Sequence, residues 1–221
     1  MDIKRMIGNL DFFRGLDEEK MTELSLISSV KSYPRDCLLY YEKTESYQLL
    51  FLIKGLVKAY KIDKHDNEIF LYYVYKNQML SEISTLKKKS LRAYSNMVLV
   101  EASQILSVDY GKFKSHFLDK GLLSLELAQE TIRQSQQLQS LVNREFIFDS
   151  VSKVAKMLSS DLEMFNKLKR YDVSLMLHIQ PSTLSRVLSR LKRQKIIDIE
   201  RGEVIIVDTK ALKIIYEGSA L

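Results

Sequence analysis

Residues 173–197 constrain the fold of this chain more than any other stretch, because one predicted helix there has two faces of different chemistry. Apolar side chains recur at the i, i+3, i+4, i+7 spacing of a buried stripe, formed by Leu184, Val187, Leu188 and Leu191. The opposite face carries hydroxyl and guanidinium groups, from Ser182, Ser185, Arg186, Ser189, Arg190 and Arg193. Five Lys or Arg residues and no acidic residue lie between positions 181 and 195. A surface of this kind favours a polyanionic partner.

The residues before this helix predict a helix-turn-helix. Pro181 suits the first helical position, because its fixed φ matches a helix and its missing N–H would be unpaired there anyway. Residues 173–177 predict a short preceding helix, which leaves His178-Ile179-Gln180 as the turn. The alternative is an ordinary amphipathic helix with a solvated basic face. The serines favour DNA binding, because Ser is a mediocre helix former whose short side chain lets a backbone approach base edges.

The residues after this helix predict a β-hairpin. Two β-branched runs, 196–200 and 204–207, flank Arg201-Gly202-Glu203, and the glycine suits the turn. A helix-turn-helix followed by a hairpin is a winged helix. We expect Arg201, at the tip of the wing, to lie near the DNA phosphates.

Composition limits the remaining possibilities. The 221 residues fit one or two domains, and a 46% hydrophobic content is enough for real cores. The net charge of +6 modestly favours a polyanionic partner. With one cysteine, Cys37, neither an intrachain disulfide nor a four-cysteine metal or cluster site can form within the chain. We find no signal-peptide pattern and no membrane-span pattern, and we expect a cytoplasmic protein that does not interact with a membrane.

The first half of the chain predicts short helices followed by a β-roll. Residues 9–29 carry helical signals, with Asp17 as the cap. Short β-favouring runs separated by polar turns then follow, at 38–41, 49–53, 56–62, 69–75, 97–102 and 105–108. Many short strands of this kind predict a sandwich or barrel.

A long helix is predicted over residues 119–146, which would measure about 42 Å. Its 3-4 spacing predicts a seam of Leu127, Thr131, Gln134, Leu138 and Leu141. So long a helix with a mixed seam favours packing against a twin helix across a dimer axis. The alternative is a helix that lies on the sheet of its own domain.

This order of elements resembles the CRP/FNR family of bacterial transcription regulators over nearly the whole chain. The most specific match is Thr183-Leu184-Ser185-Arg186, followed by Val187-Leu188, which is similar to the family's recognition helix. Residues 51–58 resemble the β-roll segment around the family's lysine-glycine turn. The resemblance implies an α+β fold with a sensory β-roll (a double-stranded jelly roll of cyclic-nucleotide-binding type) at 1–118, a dimerisation helix at 119–146 and a winged helix-turn-helix at 147–221.

The resemblance also locates an effector pocket, and there the sequence departs from the family. Nucleotide-binding members have Gly-Glu and, ten residues later, Arg-Ser, whereas this chain has Ser81-Glu82 and Arg92-Ala93. The family's Thr-Ser pair on the dimer helix corresponds to Leu138-Gln139. These departures predict a protein that does not depend on cyclic AMP. We expect the pocket, if it binds an effector, to consist of Glu82, Arg92, Ala93 and Tyr94, with Arg92 either an anion anchor or the surface partner of Glu82.

The expected function is therefore that of an effector-responsive, sequence-specific DNA-binding transcription regulator, a homodimer on an imperfect palindrome, with RNA polymerase as a further partner. The predicted DNA contacts are Ser182, Thr183, Ser185, Arg186, Ser189, Arg190, Lys192, Arg193 and Arg201. A regulator that needs no effector, or that senses haem or a gas, is the alternative within the same fold. No metal site or cofactor is predicted, since His65, His116 and His178 have no metal-ligand spacing.

Two other functional classes compete with this interpretation. A cupin-type metal enzyme would need several histidines and a carboxylate from adjacent strands, and the β-roll offers little besides His65. We therefore do not expect an enzyme. An adaptor whose winged helix binds protein is disfavoured by the Ser/Arg face, and binding that ignores salt concentration would support it.

Overall fold

The structure is a computed structural model that describes residues 3–146 and 148–217, and only the backbone of 143–146. The chain forms two compact units, Met1–Gln137 and Leu138–Leu221. The expected three-part division, with boundaries at residues 118 and 146, stays a prediction.

The first unit begins with short helices, as the sequence predicts. They are α1 (Ile3–Gly8), a 3-10 turn (Asp11–Phe13) and α2 (Glu18–Leu26). Asp17 caps α2, because its carboxylate accepts a hydrogen bond of 2.8 Å from the backbone N–H of Lys20.

Nine strands follow within the described part of this unit, all paired antiparallel. They are β1 (Ser28–Tyr33), β2 (Leu38–Tyr40), β3 (Glu45–Ser46), β4 (Gln48–Lys54), β5 (Val57–Ile62), β6 (Glu68–Val74), β7 (Leu91–Arg92), β8 (Asn96–Leu99) and β9 (Ser103–Asp109). The sheet orders are β1-β9-β4, β2-β8-β5-β6 and β3-β7. The six expected runs all contain strands, whereas β1, β3 and β7 were not predicted.

The lysine-glycine turn between β4 and β5 needs its glycine. Gly55 has a φ of +110°, and a Cβ there would lie 2.0 Å from the Oγ of Ser103. Only a residue without a side chain can make this approach. The turn passes the chain from the β1-β9-β4 sheet to the β2-β8-β5-β6 sheet.

The core of the first unit joins the N-terminal helices to the roll. Phe13 contacts Phe51 of β4 with ring centroids 4.9 Å apart, and Phe113 stacks on Phe117 at 5.5 Å. All four rings are almost completely buried. The helical N-terminus is therefore part of the folded first unit.

The long helix begins later than the sequence predicts. After α3 (Tyr110–His116) and a 3-10 turn (Leu118–Lys120), the helix α4 runs over Ser124–Phe146. Gly121 and Leu123 both have positive φ, 77° and 59°, which interrupts helical geometry before Ser124. The expected start at residue 119 is therefore wrong by five residues.

The second unit consists of short helices and one hairpin. Its elements are α5 (Ser150–Ser160), α6 (Leu162–Lys167), α7 (Arg170–Met176), α8 (Pro181–Arg193), β10 (Ile197–Glu200), β11 (Glu203–Ile206) and α9 (Thr209–Glu217). Helix α5 begins at Ser150, because Asp149 caps it by accepting a 2.7 Å hydrogen bond from the Ser152 N–H. Helix α6 was not predicted. None of the described helices is long and apolar enough to cross a membrane.

Candidate nucleic-acid interface and sensory pocket

Helix α8 has the two faces that the sequence predicts. Leu184, Val187, Leu188 and Leu191 are each at most 6% exposed and face the core. Pro181 is the first helical residue, preceded by an extended Gln180. The opposite face is therefore held outward by the burial of the apolar stripe.

The turn before α8 ends α7 in a Schellman motif. The N–H of Ile179 donates to the carbonyl of Ser174 at 3.0 Å, and the N–H of His178 donates to that of Leu175 at 3.1 Å. His178 has a φ of 50°, in the left-handed region that this motif requires. Histidine tolerates positive φ better than most residues, and α7, the turn and α8 form a helix-turn-helix.

The outer face of α8 is open and basic. An open concavity of about 260 Å³ follows it, lined by Ser185, Arg186, Ser189, Arg190 and Arg193. Ser185 and Ser189 donate their hydroxyl protons to the carbonyls of Pro181 and Ser185, which leaves the oxygen lone pairs as acceptors. The side chains needed for base and phosphate contacts therefore share one surface.

Arg186 lies back along its own helix. Its Nη2 donates to the Thr183 hydroxyl at 3.2 Å, and its Nε donates to the Ser182 carbonyl at 3.4 Å. These bonds are long and the residue is exposed. A guanidinium held this loosely can exchange both bonds for a bidentate contact with guanine. Ser182 is exposed, whereas Thr183 is half-buried.

Lys192 differs from the arginines, because its ammonium is paired with Asp198 of β10. The Nζ donates to the Asp198 carboxylate at 2.7 Å, and this hydrogen bond is the main reason that the Asp198 pKa is lowered. About half of each side chain is exposed. The pair links the end of α8 to the wing, and the sequence reasoning did not foresee it.

The wing hairpin has the expected turn. Arg201 and Gly202 have φ values of 50° and 89°, and the flanking residues Glu200 and Glu203 are partners in the β-ladder. Two central residues with positive φ are typical of a type I′ turn, whose twist matches that of the strands. Arg201 is exposed at this tip.

The carboxylate at the centre of the candidate sensory pocket is hydrogen-bonded within the chain. Glu82 accepts from the Tyr72 hydroxyl at 3.1 Å and the Ser95 hydroxyl at 3.0 Å, and also from the backbone N–H groups of Tyr94 and Ser95, at 2.5 and 3.2 Å. An ionised carboxylate has about four lone-pair sites. All of them are used within the chain. Burial raises the pKa of Tyr72, so its hydroxyl stays a donor.

The other pocket residues also bond within the chain. The N–H and carbonyl of Ala93 pair with Thr44 and Lys43 at 3.0 and 2.8 Å. The Tyr94 residue is 52% exposed and its N–H donates to Glu82, while its place in an effector pocket stays a prediction. Ser81, where the family has glycine, accepts from the Leu50 N–H at 2.9 Å. Arg92 is exposed and lines the cavity with Glu82.

The cavity left at this site is small. It measures about 20 Å³, which is room for about one water molecule. Tyr40 lies on its wall and donates its hydroxyl to the carbonyl of Leu80 at 2.9 Å. A ligand of nucleotide size would have to displace these side chains.

The expected dimer seam on α4 is partly turned inward. Leu127 is 7% exposed, and the Gln134 amide donates to the Ser81 carbonyl at 3.1 Å, so these two residues serve their own unit. Leu141 is half-buried, whereas Thr131 is exposed and Leu138 is 50% exposed. Periodicity alone did not distinguish the two faces. The exposed apolar stripe of the first unit consists of Leu125, Ala128 and Ile132 at 3-4 spacing, whereas the exposed Leu138 falls outside this spacing.

Two family models match the chain on either side of this helix. Residues 30–119 match the cyclic nucleotide-binding domain, and residues 152–215 match the Crp-like helix-turn-helix domain. The chain belongs to the CRP/FNR family of bacterial transcription regulators. The α+β fold and the DNA-binding helix-turn-helix of this family member are thereby confirmed.

Solved structures of other regulators share this fold. FixK2 from Bradyrhizobium japonicum has a TM-score of 0.70 at 16% identity, covering 85% of this chain and 96% of its own. A CooA variant from Carboxydothermus hydrogenoformans has a TM-score of 0.73 at 17% identity, covering 95% and 94%. The c-di-GMP-responsive regulator CLP from Xanthomonas campestris has a TM-score of 0.65 at 15% identity, covering 86% and 99%. Such low identities establish the fold alone.

Among proteins with curated descriptions, none matches this regulator.

Proposed function

We propose that this regulator is a homodimer that binds an imperfect palindrome in double-stranded DNA and does not require cyclic AMP. The exposed serine and arginine face of α8 carries the proposal. On this face, Arg186 contacts a base, Arg190 and Arg193 contact phosphates, and the serines allow the helix to approach the groove closely. The DNA that it binds is chromosomal, so the protein acts in the cytoplasm. RNA polymerase is a further partner.

The experiment that tests DNA binding is a selection of bound sequences from random duplexes, followed by salt titration of the best sequence. We expect an inverted repeat whose half-sites lie about 34 Å, one DNA turn, apart. Affinity for this sequence should fall as salt rises, since bound phosphates release counterions. No enrichment, or an affinity that ignores salt, would contradict the proposal and favour a protein partner.

The exposed stripe on α4 supports the homodimer. Within the first unit, Leu125 and Ile132 are 67% and 57% exposed, and Ala128 lies between them. Their 3-4 spacing is that of a coiled-coil seam. A second copy of the same helix offers the complementary surface, which is how twofold regulators pair.

The homodimer is tested by placing a charge in this stripe. We expect Ile132→Asp in this stripe, and likewise Leu138→Asp in the seam that the sequence predicts, to shift sedimentation from dimer to monomer, because an unpaired charge in a desolvated seam costs several kcal/mol. Leu26→Asp is the matched control, since Leu26 is 82% exposed and belongs to α2, not to α4. An unchanged dimer in the α4 variants would locate the interface elsewhere.

The saturated carboxylate of Glu82 supports independence from cyclic AMP. The resemblance implies that this residue would hold a ribose hydroxyl, yet its acceptor sites are filled by Tyr72, Tyr94 and Ser95. Ala93 also lacks the hydroxyl of the family's serine. Each hydrogen bond that is lost to a charged or polar ligand group costs about 1–3 kcal/mol.

A larger concavity of the sensory unit is no substitute for a nucleotide site. It measures about 310 Å³ and is lined by Asp11, Glu126 and Glu130, with Arg133 as its cation. Arg133 is already paired with Glu130. A phosphate would therefore meet net negative charge. Regulation then depends on an effector of other chemistry, or on the abundance of the protein itself.

A further inference from the structure

One edge of the wing hairpin pairs with no other described strand, and a single side chain forms hydrogen bonds to it. The strands β10 and β11 pair only with each other among the described residues. In a hairpin with a two-residue turn, the pair that flanks the turn is hydrogen-bonded, and the backbone groups of the next pair point outward. Here the next pair is Ile199 and Val204. The N–H and carbonyl of Val204 thus face away from β10.

Asn166 of α6 bonds to both of these groups. Its Nδ2 donates to the Val204 carbonyl at 3.0 Å, and its Oδ1 accepts from the Val204 N–H at 2.9 Å. A neighbouring strand would satisfy the residue in the same way. The Asn166 carboxamide therefore makes the two hydrogen bonds that a third strand would make at this edge of the wing.

Arg170 holds the turn itself. Its Nη2 donates to the carbonyl of Gly202 at 2.8 Å, and its Nη1 donates to that of Phe165 at 3.2 Å. Its guanidinium also lies over the Phe165 ring, 4.5 Å from the centroid. Because Phe165 is fully buried, the arginine is anchored in the core of the second unit. The position of the adjacent Arg201 is thereby tied to that core.

We propose that Asn166 and Arg170 are positioning residues of the DNA interface: they hold the wing so that Arg201 meets the phosphate backbone. The proposal rests on the DNA-binding function proposed above. A two-stranded hairpin is marginally stable by itself. Without these two side chains, the wing would still pack Ile197 and Val204 on the core, but its tip would no longer be fixed. Arg201 would then have to be ordered at the moment of binding.

The first part of the test is a double-mutant cycle on the selected operator, with Asn166→Ala, Arg201→Ala and the combination. We expect Arg201→Ala to make the salt slope of binding shallower by about 1, the loss of one phosphate contact. Asn166→Ala should give most of the same change. In the Arg201→Ala background, Asn166→Ala should add almost nothing, because it acts through Arg201.

A second variant tests the turn contact. Arg170→Lys keeps the charge but loses the fork that reaches Gly202 and Phe165 together, so we expect it to behave like Asn166→Ala. Leu212→Val in α9 is the control for stability, since it removes one buried methylene of the same unit away from the wing. It should lower the unfolding midpoint without changing the salt slope, when binding is measured well below that midpoint.

Hydrogen exchange gives an independent readout. The Val204 N–H bonds to the Asn166 side chain, so its exchange should accelerate in Asn166→Ala and remain slow in Arg201→Ala. Equal losses of DNA affinity from Asn166→Ala in both backgrounds would overturn the inference, as would unchanged exchange at Val204. If the wild-type chain itself fails to bind DNA, the proposed function fails instead.

Discussion

The recognition helix and the sensory pocket differ in how their polar groups are satisfied. On α8, the guanidinium of Arg186 makes two long bonds to its own helix and is exposed to solvent. In the roll, Glu82 accepts four hydrogen bonds from its own chain, beside a cavity of about 20 Å³. Free polar groups on a rigid element are suited to binding, whereas saturated ones stabilise a fold. The family relationship alone would have assigned ligand contacts to both.

Among the variants that test this comparison, we expect the largest effect from a change at Glu82. In Glu82→Gln, the new amide N–H₂ would face groups that are themselves donors, so some of Tyr72, Tyr94 and Ser95 would lose their acceptor. We expect urea unfolding to give a loss of about 3 kcal/mol. A ligand-binding carboxylate would tolerate the change.

The matched control for this variant is Glu45→Gln. Glu45 is an exposed residue of β3, so the same loss of charge there should change the unfolding free energy by less than about 0.5 kcal/mol. If Glu82→Gln were no more destabilising than this control, Glu82 would not be the structural acceptor that the hydrogen bonds indicate.

The next effect concerns the open region of the comparison. Arg186→Ala should cost about 1–3 kcal/mol on the selected operator and relax specificity at one base pair, because a bidentate base contact is lost. Arg193→Ala, about two turns further along α8, should instead weaken all sequences alike. Competition binding against randomised duplexes separates the two. An unchanged ratio of specific to nonspecific affinity in Arg186→Ala would show that α8 does not read bases through this residue.

The smallest effect concerns Lys192, a predicted phosphate contact whose ammonium is paired with Asp198. Asp198→Asn removes its partner, and we expect tighter DNA binding with a salt slope steeper by about 0.9. The Asp198 pKa is lowered mainly by its hydrogen bond from Lys192. The pair therefore forms above the ordinary pKa of aspartate and is lost only as the pH falls through the lowered value. Near neutral pH, the wild-type slope should not change with pH through this group, and an unaltered slope in Asp198→Asn would mean that Lys192 does not reach a phosphate.

The sequence was sufficient where periodicity and turn chemistry decide the structure. The buried stripe of α8 follows from apolar spacing alone, and Arg201-Gly202 between β-branched runs predicts the wing turn. It was insufficient where burial depends on the partner element. The spacing of Leu127 predicts an apolar face but not that this face packs inside its own unit, and positive φ at a leucine, Leu123, has no signal in composition.

The polar contacts of the site were the least predictable part. Asn166 lies 38 residues from Val204 in the chain, and its role depends on two backbone atoms of a strand edge. The resemblance associates Glu82 with an effector pocket, and the residue lines the small cavity there. Its saturation became visible only with the donors Tyr72 and Ser95 in place, because a sequence motif names an acceptor without its partners.

The central claim, that the sensory pocket is closed by its own hydrogen bonds while the DNA face is open, is tested most directly with cyclic AMP. Calorimetry should be combined with operator titration in the presence and absence of the nucleotide. We expect no binding stronger than about millimolar and an unchanged operator affinity, because each 1.4 kcal/mol of lost ligand bonding weakens binding about tenfold. Binding tighter than about 10 µM, together with stronger operator binding, would contradict the account.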